Sequence, residues 1–421
     1  MGRAILTTID PKTPPAAGAP PALARSLNLP LAVLFGLGVT IGAGIYVLIG
    51  ATAGRAGMHA PLAFLLAAIV MAPTAASFAE LASRMPVSAG EAAYVKAGFG
   101  SEKLALLIGL MVIAVGIISA AAIAKGSTGY IREFVDLPAG IVISTVVLLM
   151  GAVSAWGILQ SVGIAAAMTL IEVAGLVVLI FVSATQSQEL VTRIPEIWTG
   201  LGSAAAVTGI LSASLLGFFA FIGFEGLANI AQEVKEPRRT LPLAIFLTLG
   251  ISTFFYIVIV WIALVSVPQD ELASASAPLS LVFERVTGAS PVAISAIAIV
   301  ATINGIIALM VMSSRVIFGM ADRGLLPSAL ASVSALTRTP LKATALVVGA
   351  VLVLALVFPL EGLAETTSRL TLIIFAFVNA ALVQIKRKSE PMQRAVFTVP
   401  IGVPLAGCAL CLALLIGALL G

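Results

Sequence analysis

Two glutamates stand inside apolar stretches of this 421-residue chain: Glu172 in MTLIEVAGLVVLI (168–180) and Glu225 in FIGFEGLANIAQ (221–232). An ionisable group inside a membrane-depth segment is costly, about 2.5–3.5 kcal/mol on insertion scales, so each needs a reason. A carboxyl held there without a nearby cation can carry a proton. The plainer alternative is a carboxyl that braces irregular backbone. Glycines are clustered in two apolar stretches, the second of which contains Glu225. VTIGAGIYVLIG (39–50) holds Gly42, Gly44 and Gly50, and GFFAFIGFEG (217–226) holds Gly217, Gly223 and Gly226. Each glycine weakens a helix by roughly 0.5–1 kcal/mol relative to alanine, a flaw that mere lipid-spanning does not call for.

The elements that position these residues are read from bulk composition. Hydrophobic residues make up 60% of the chain and charged residues 10%, far below the ~25% charged of soluble domains, and the mean hydropathy is +1.15. This composition predicts an all-α integral membrane protein. A net charge of +4 gives no reason to expect a nucleic-acid partner. The lone His59 falls in an outer loop and is expected at the surface. Cys408 and Cys411 lie one helical turn apart with no other ligand near, so packing cysteines are expected and no metal or disulfide. No nucleophile–base pair or ligand cluster points to an enzyme, and no cofactor is expected.

A crossing needs about 20 mainly apolar residues. Eleven spans are expected, over 28–54, 61–83, 103–124, 138–157, 162–184, 204–231, 241–267, 292–320, 341–360, 363–385 and 396–420. Residues 1–27, with PPAAGAPP (14–21), read as a flexible tail without a cleavable leader, and 276–287 reads as a short helix across the outer face. With the N-terminus cytoplasmic, 17 Lys and Arg fall inside and 6 outside, the sense of the positive-inside rule. Glu80 and Arg84 are expected to form a snorkelling interface pair, and Lys125 to snorkel outward. EVKEPRRTLP (233–242) and ADRGLLP (321–327) read as solvated loops.

The two glycine clusters fall on the first and sixth expected spans, five positions apart, so the spans that carry them run in opposite directions. Glycine-interrupted spans at corresponding positions of two halves are the best sequence pointer to a transporter's binding site. An inverted five-plus-five repeat follows as an expectation, with halves at 28–184 and 204–385 and an additional span at 396–421. Unwinding of spans one and six at mid-membrane would free backbone amides for a carboxylate and carbonyls for an ammonium. Close helix packing through small residues is the alternative use of the same glycines.

TIGAGIY (40–46), AELASRMPVSAGEAAYV (79–95), FAFIGFEGLANIAQEVKEPRRTLP (219–242) and SSRVIFGMADRGLLP (313–327) resemble the amino acid–polyamine–organocation superfamily of transporters. The resemblance implies a sodium-symporter-like, LeuT-type inverted repeat, alternating access and an amino acid substrate. Most members have twelve spans; the difference here lies outside the ten-helix core. Carried over residue by residue, the substrate carboxylate meets amides of Gly42, Ala43 and Gly44. The amino group meets carbonyls of Thr40 or Ile41 and of Phe219, Ala220 or Ile222. Phe219 is placed as an aromatic gate, and Ile306 and Leu309 line a side-chain pocket suited to small neutral or aliphatic amino acids. Glu225 matches a glutamate of some proton-sensitive members, and Glu172 takes the place where some members have a lysine and sodium-coupled relatives enclose a cation. The expected activity is proton-coupled symport across the cytoplasmic membrane; the alternative is an exchanger, or a cationic amino acid or polyamine carrier, without proton coupling.

Overall fold

The computed structural model describes residues 27–86, 90–156, 162–231, 233–322, 324–388 and 397–420. Of the expected tail only Leu27 falls among them.

Sixteen α-helices run in order among the described residues: α1 (Leu29–Ala56), α2 (Ala60–Arg84), α3 (Gly90–Phe99), α4 (Glu102–Arg132), α5 (Ala139–Trp156), α6 (Val162–Gln186), α7 (Glu189–Thr192), α8 (Ala204–Phe221), α9 (Gly226–Asn229), α10 (Pro237–Ser266), α11 (Gln269–Ser274), α12 (Pro278–Thr287), α13 (Val292–Asp322), α14 (Leu341–Val357), α15 (Leu360–Arg387) and α16 (Gly402–Leu420). Their ends follow ordinary capping chemistry. Asn28, Ser101 and Ser203 each accept a first-turn amide at α1, α4 and α8, satisfying donors that a helix start leaves free. Pro237 opens α10, four residues before the expected start, because proline is preorganised for the first turn. The expected outer-face helix is α12; α3, α7 and α11 are additional.

Among the described residues, eight helical stretches are long and apolar enough to cross a membrane, the first of which, Leu29–Arg84, contains both α1 and α2. Leu341–Val357 and Gly402–Ala418 are apolar but shorter, so they fall below the length the expected ninth and eleventh spans called for. The core sits where α1 packs against α6, α8, α10 and α13, and where α2 packs against α10 and α8.

Several surface expectations are corrected. Glu80 is fully buried: besides Arg84 (2.5 Å) it binds Lys386 of α15 (2.7 Å) and accepts the Val399 amide at 2.7 Å. It pins three segments together and does not snorkel. His59 is half-buried, its Nδ1 2.8 Å from the Ile197 carbonyl oxygen. Lys125 donates to the Ala355 carbonyl, in the last turn of α14, at 3.2 Å, which leaves the expectation of an outward-reaching side chain standing. The segment after α9 is not simply a solvated loop, since Leu27 donates to the Glu233 carbonyl (3.0 Å) and accepts from the Lys235 amide (2.7 Å). Cys411 is buried with Sγ 3.6 Å from Thr74 Oγ1, the packing role expected of it.

Candidate functional site

The sixth expected span is broken. α8 ends at Phe221, Ile222 turns extended (φ −64°, ψ 131°), and Gly223 takes φ +133°, a region that L side chains rarely adopt. A Cβ on Gly223 would stand 2.9 Å from the Val39 carbonyl carbon. Glycine therefore serves twice here, in conformation and in close approach to α1. The Gly223 amide donates to Glu225 Oε2 at 2.8 Å. The carboxyl thus supplies an acceptor that the broken helix has lost. Bracing of the backbone is an observed role of Glu225.

The first span is not broken, against expectation. α1 runs without interruption through Gly42, Ala43 and Gly44, and in an unbroken helix those amides belong to carbonyls four residues earlier. The physical reason lies in what the glycines touch. A Cβ on Gly44 would fall 2.3 Å from the Ala220 Cα of α8, one on Gly42 3.0 Å from the Ala301 carbonyl oxygen of α13, and one on Gly50 2.5 Å from the Leu272 carbonyl oxygen of α11. One on Gly38 would fall 2.0 Å from Thr169 Oγ1 of α6. The cluster lets four neighbours approach one helix closely, which is the small-residue packing device of membrane helices.

Two of the carbonyls assigned to the substrate amino group are engaged by one side chain in this conformation. Tyr256 Oη of α10 lies 2.7 Å from the Thr40 oxygen and 2.6 Å from the Ala220 oxygen. One hydroxyl thus bridges α1 and the end of α8, beside the break. Tyr256→Phe keeps the ring contacts with Phe64 and Phe221 but removes this bridge. The variant is expected to lose about 1–3 kcal/mol, read as a lower denaturation temperature in detergent. An unchanged melting curve would show that the bridge carries no stability.

A cavity of about 50 Å³ opens against the break, on the order of four water molecules in size. α1 contributes Val39, Thr40 and Gly44; the broken span contributes Phe219, Ile222, Gly223, Glu225 and Gly226; α13 contributes Leu309 and Met312. The structure therefore gathers Thr40, Gly44, Phe219, Ile222, Leu309 and Glu225 from the expected set around one space. Ile41, Gly42, Ala220 and Ile306 are buried behind it, and Ala43 is described only as part of α1. The sequence reading missed the wall formed by α4. Val115, Ser119 and Ile123 line the cavity at four-residue spacing, and the Ser119 and Thr40 hydroxyls are buried without a partner. The i, i+4, i+8 spacing of those three was the signal available.

Glu172 stands apart from this cavity, on α6 against α1 and α13. It is fully buried. Its Oε1 accepts from Asn304 Nδ2 at 3.4 Å, Oε2 has no partner, and Oε2 lies 3.4 Å from where a Gly42 Cβ would stand. The main chain is fixed by Tyr46, whose hydroxyl donates to the Glu172 carbonyl at 3.1 Å. Spans one, five and eight thus meet at this carboxyl as the resemblance implied. No group of three or more His, Cys, Asp or Glu side chains suited to a metal occurs among the described residues.

Comparisons agree with this architecture. The crystal structure of a manganese transporter mutant from Eremococcus coleocola superposes with a TM-score of 0.65 over 93% of this chain and 85% of that one, at 13% identity, which speaks for the fold alone. The branched-chain amino acid permease BcaP of Bacillus subtilis is 29% identical over 91% of this chain and 85% of its own length. The vacuolar cationic amino acid transporter 4 of Arabidopsis thaliana is 30% identical over 92% of this chain and 66% of its own. The methylthioribose transporter of Bacillus subtilis is 29% identical over 93% and 87%. With the amino acid permease family model matching residues 27–420, nearly the whole length, the chain belongs to the amino acid permease family of the amino acid–polyamine–organocation superfamily, integral membrane transporters and not enzymes.

Proposed function

We propose that the protein is a secondary active transporter that carries small neutral or aliphatic L-amino acids by alternating access, in symport with a proton. It works in the cytoplasmic membrane with its N-terminus inside, and residues 28–184 and 204–385 act as two inverted halves. One observation carries the reading: a small, largely apolar cavity lies against a broken helix, and the one ionisable side chain on its wall is Glu225. An apolar wall accepts a methyl or isopropyl group and rejects an unpaired ammonium, whose desolvation costs several kcal/mol. The substrate's charged head group needs backbone partners, and the Thr40 and Ala220 carbonyls beside the cavity suit its ammonium once Tyr256 releases them. The similarity to a branched-chain permease supports the same substrate class.

A second reading has its own support. Glu225 on the cavity wall could pair with the distal charge of arginine or a polyamine, and the similarity to cationic amino acid transporters points that way. Competition in proteoliposomes decides between them. Alanine, valine or leucine is expected to displace labelled substrate at concentrations at least tenfold below arginine, lysine or putrescine, a difference of about 1.4 kcal/mol. Tighter competition by arginine or putrescine would overturn the neutral-substrate assignment and make Glu225 their partner.

A further inference from the structure

We propose that Glu91, on the short helix α3, is a second proton-carrying carboxyl that shares one proton with Glu225 across the break in span six. This rests on the proposed proton coupling and goes further, since it names the route. α3 is ten residues long, too short to cross a membrane, and it follows span two on the side read as cytoplasmic.

Its first turn packs on the broken span: a Cβ on Gly90 would meet the Ala228 Cβ of α9 at 3.2 Å. Glu91 is the next residue, 5% exposed, and close enough to Glu225 to act on it electrostatically. One turn further on, Tyr94 is fully buried and its hydroxyl has no partner. The Tyr94 ring meets Phe78 edge-on, and Phe78 in turn meets Phe224, the neighbour of Glu225. The first turn of α3 thus sets Glu91 against the segment that carries Glu225, with the unpaired Tyr94 hydroxyl on the same short helix.

Four basic groups around α3 have partners other than Glu91. Lys96 pairs with Glu102, Arg84 and Lys386 pair with Glu80, and Lys388 donates to the Ala97 and Gly98 carbonyls. Glu233, Lys235, Glu236, Arg238 and Arg239 follow α9 on the way into α10. Burial pushes the Glu91 carboxyl up to about 7, which places its titration near neutral pH. Two neighbouring buried carboxyls resist double ionisation, so they titrate as a pair that retains one proton. In the transfer the O–H bond on Glu225 breaks as one forms on Glu91. The pair keeps a single negative charge, and no other reactant is needed.

The test is the pH profile of substrate uptake in proteoliposomes for wild type, E225Q, E91Q and E91D. E225Q is expected to flatten the profile. E91Q is expected to keep a pH dependence whose midpoint moves about one unit to lower pH, because a neighbouring negative charge no longer opposes ionisation of Glu225. E91D, which restores the carboxyl, should return the midpoint towards wild type. An E91Q profile that overlays wild type while E225Q is flat would overturn the role of Glu91 alone. A wild-type profile in E225Q would instead overturn coupling at Glu225. If E91Q is not recovered folded, infrared difference spectra between pH 5 and 9 decide. In E91D two coupled carboxyl bands should move together relative to wild type, and unmoved bands would overturn the proposal.

Discussion

Gly44→Val is expected to bind no amino acid and to denature well below the wild-type temperature. The valine Cβ would stand 2.3 Å from both the Cα and the Cβ of Ala220. Backbone cannot yield there as a flexible side-chain tip can, so α1 and α8 must separate. Overpacking of this kind costs about 1–3 kcal/mol or more. Separation also reshapes the cavity, since Gly44 and Phe219 both line it. A thermal-shift series on purified protein reads both effects, because substrate that binds the folded state raises its apparent stability. Gly44→Ala should fall in the same direction by less. Gly250→Ala is the control: a Cβ there meets nothing within 4 Å, and alanine is the better helix former. A Gly44→Val protein with wild-type melting and binding would refute the contact.

This result bears on what the residues alone could reveal. The apolar runs made the helical bundle legible, because lipid admits few other folds. The break in span six was legible too, since Gly223 sits among aromatics and beside a carboxyl. The same logic misled for the first span. Glycine at intervals of two to eight residues serves unwinding and close packing equally well in sequence, and only Ala220, Ala301, Leu272 and Thr169 on other helices distinguish them. Glu80 shows the same limit. Its i+4 partner Arg84 was visible, but Lys386 and the Val399 amide lie at the far end of the chain, and they turn a surface pair into a buried joint. Tyr256 and Asn304 are not legible in sequence, because a single polar residue in an apolar helix has no periodicity to betray it, and Ser119 shows only as the middle of an i, i+4, i+8 stripe. Their significance is made by the fold, which sets Tyr256 against Thr40, Asn304 against Glu172 and Ser119 on the cavity wall.

Glu172→Gln is expected to abolish proton-driven accumulation while leaving substrate exchange intact. Glutamine keeps the shape of the side chain and an acceptor for Asn304, so the junction of α1, α6 and α13 should hold. It removes the only carboxyl that the structure places at that junction, and with it any titration there. Oε2 of Glu172 has no protein partner, although an ionised oxygen buried this deeply needs a hydrogen bond or a counter-charge. On the proposed coupling, a proton on Glu172 would meet that need in one half of the cycle. Its release, as the helices around α1 rearrange, would tie the proton gradient to substrate movement. One proton per substrate across one pH unit is worth about 1.4 kcal/mol, or tenfold accumulation. Wild-type proteoliposomes with an inward gradient of one unit should approach that ratio, and the variant should stay near unity. Exchange of internal for external substrate at equal pH should proceed in both, because exchange returns the loaded carrier without net proton flux. Accumulation by Glu172→Gln that still follows the gradient would exclude this residue and leave the coupling to Glu225 and Glu91. Wild-type uptake that ignores pH and follows sodium would remove proton coupling altogether, and Glu172 would then be read as a ligand for the cation.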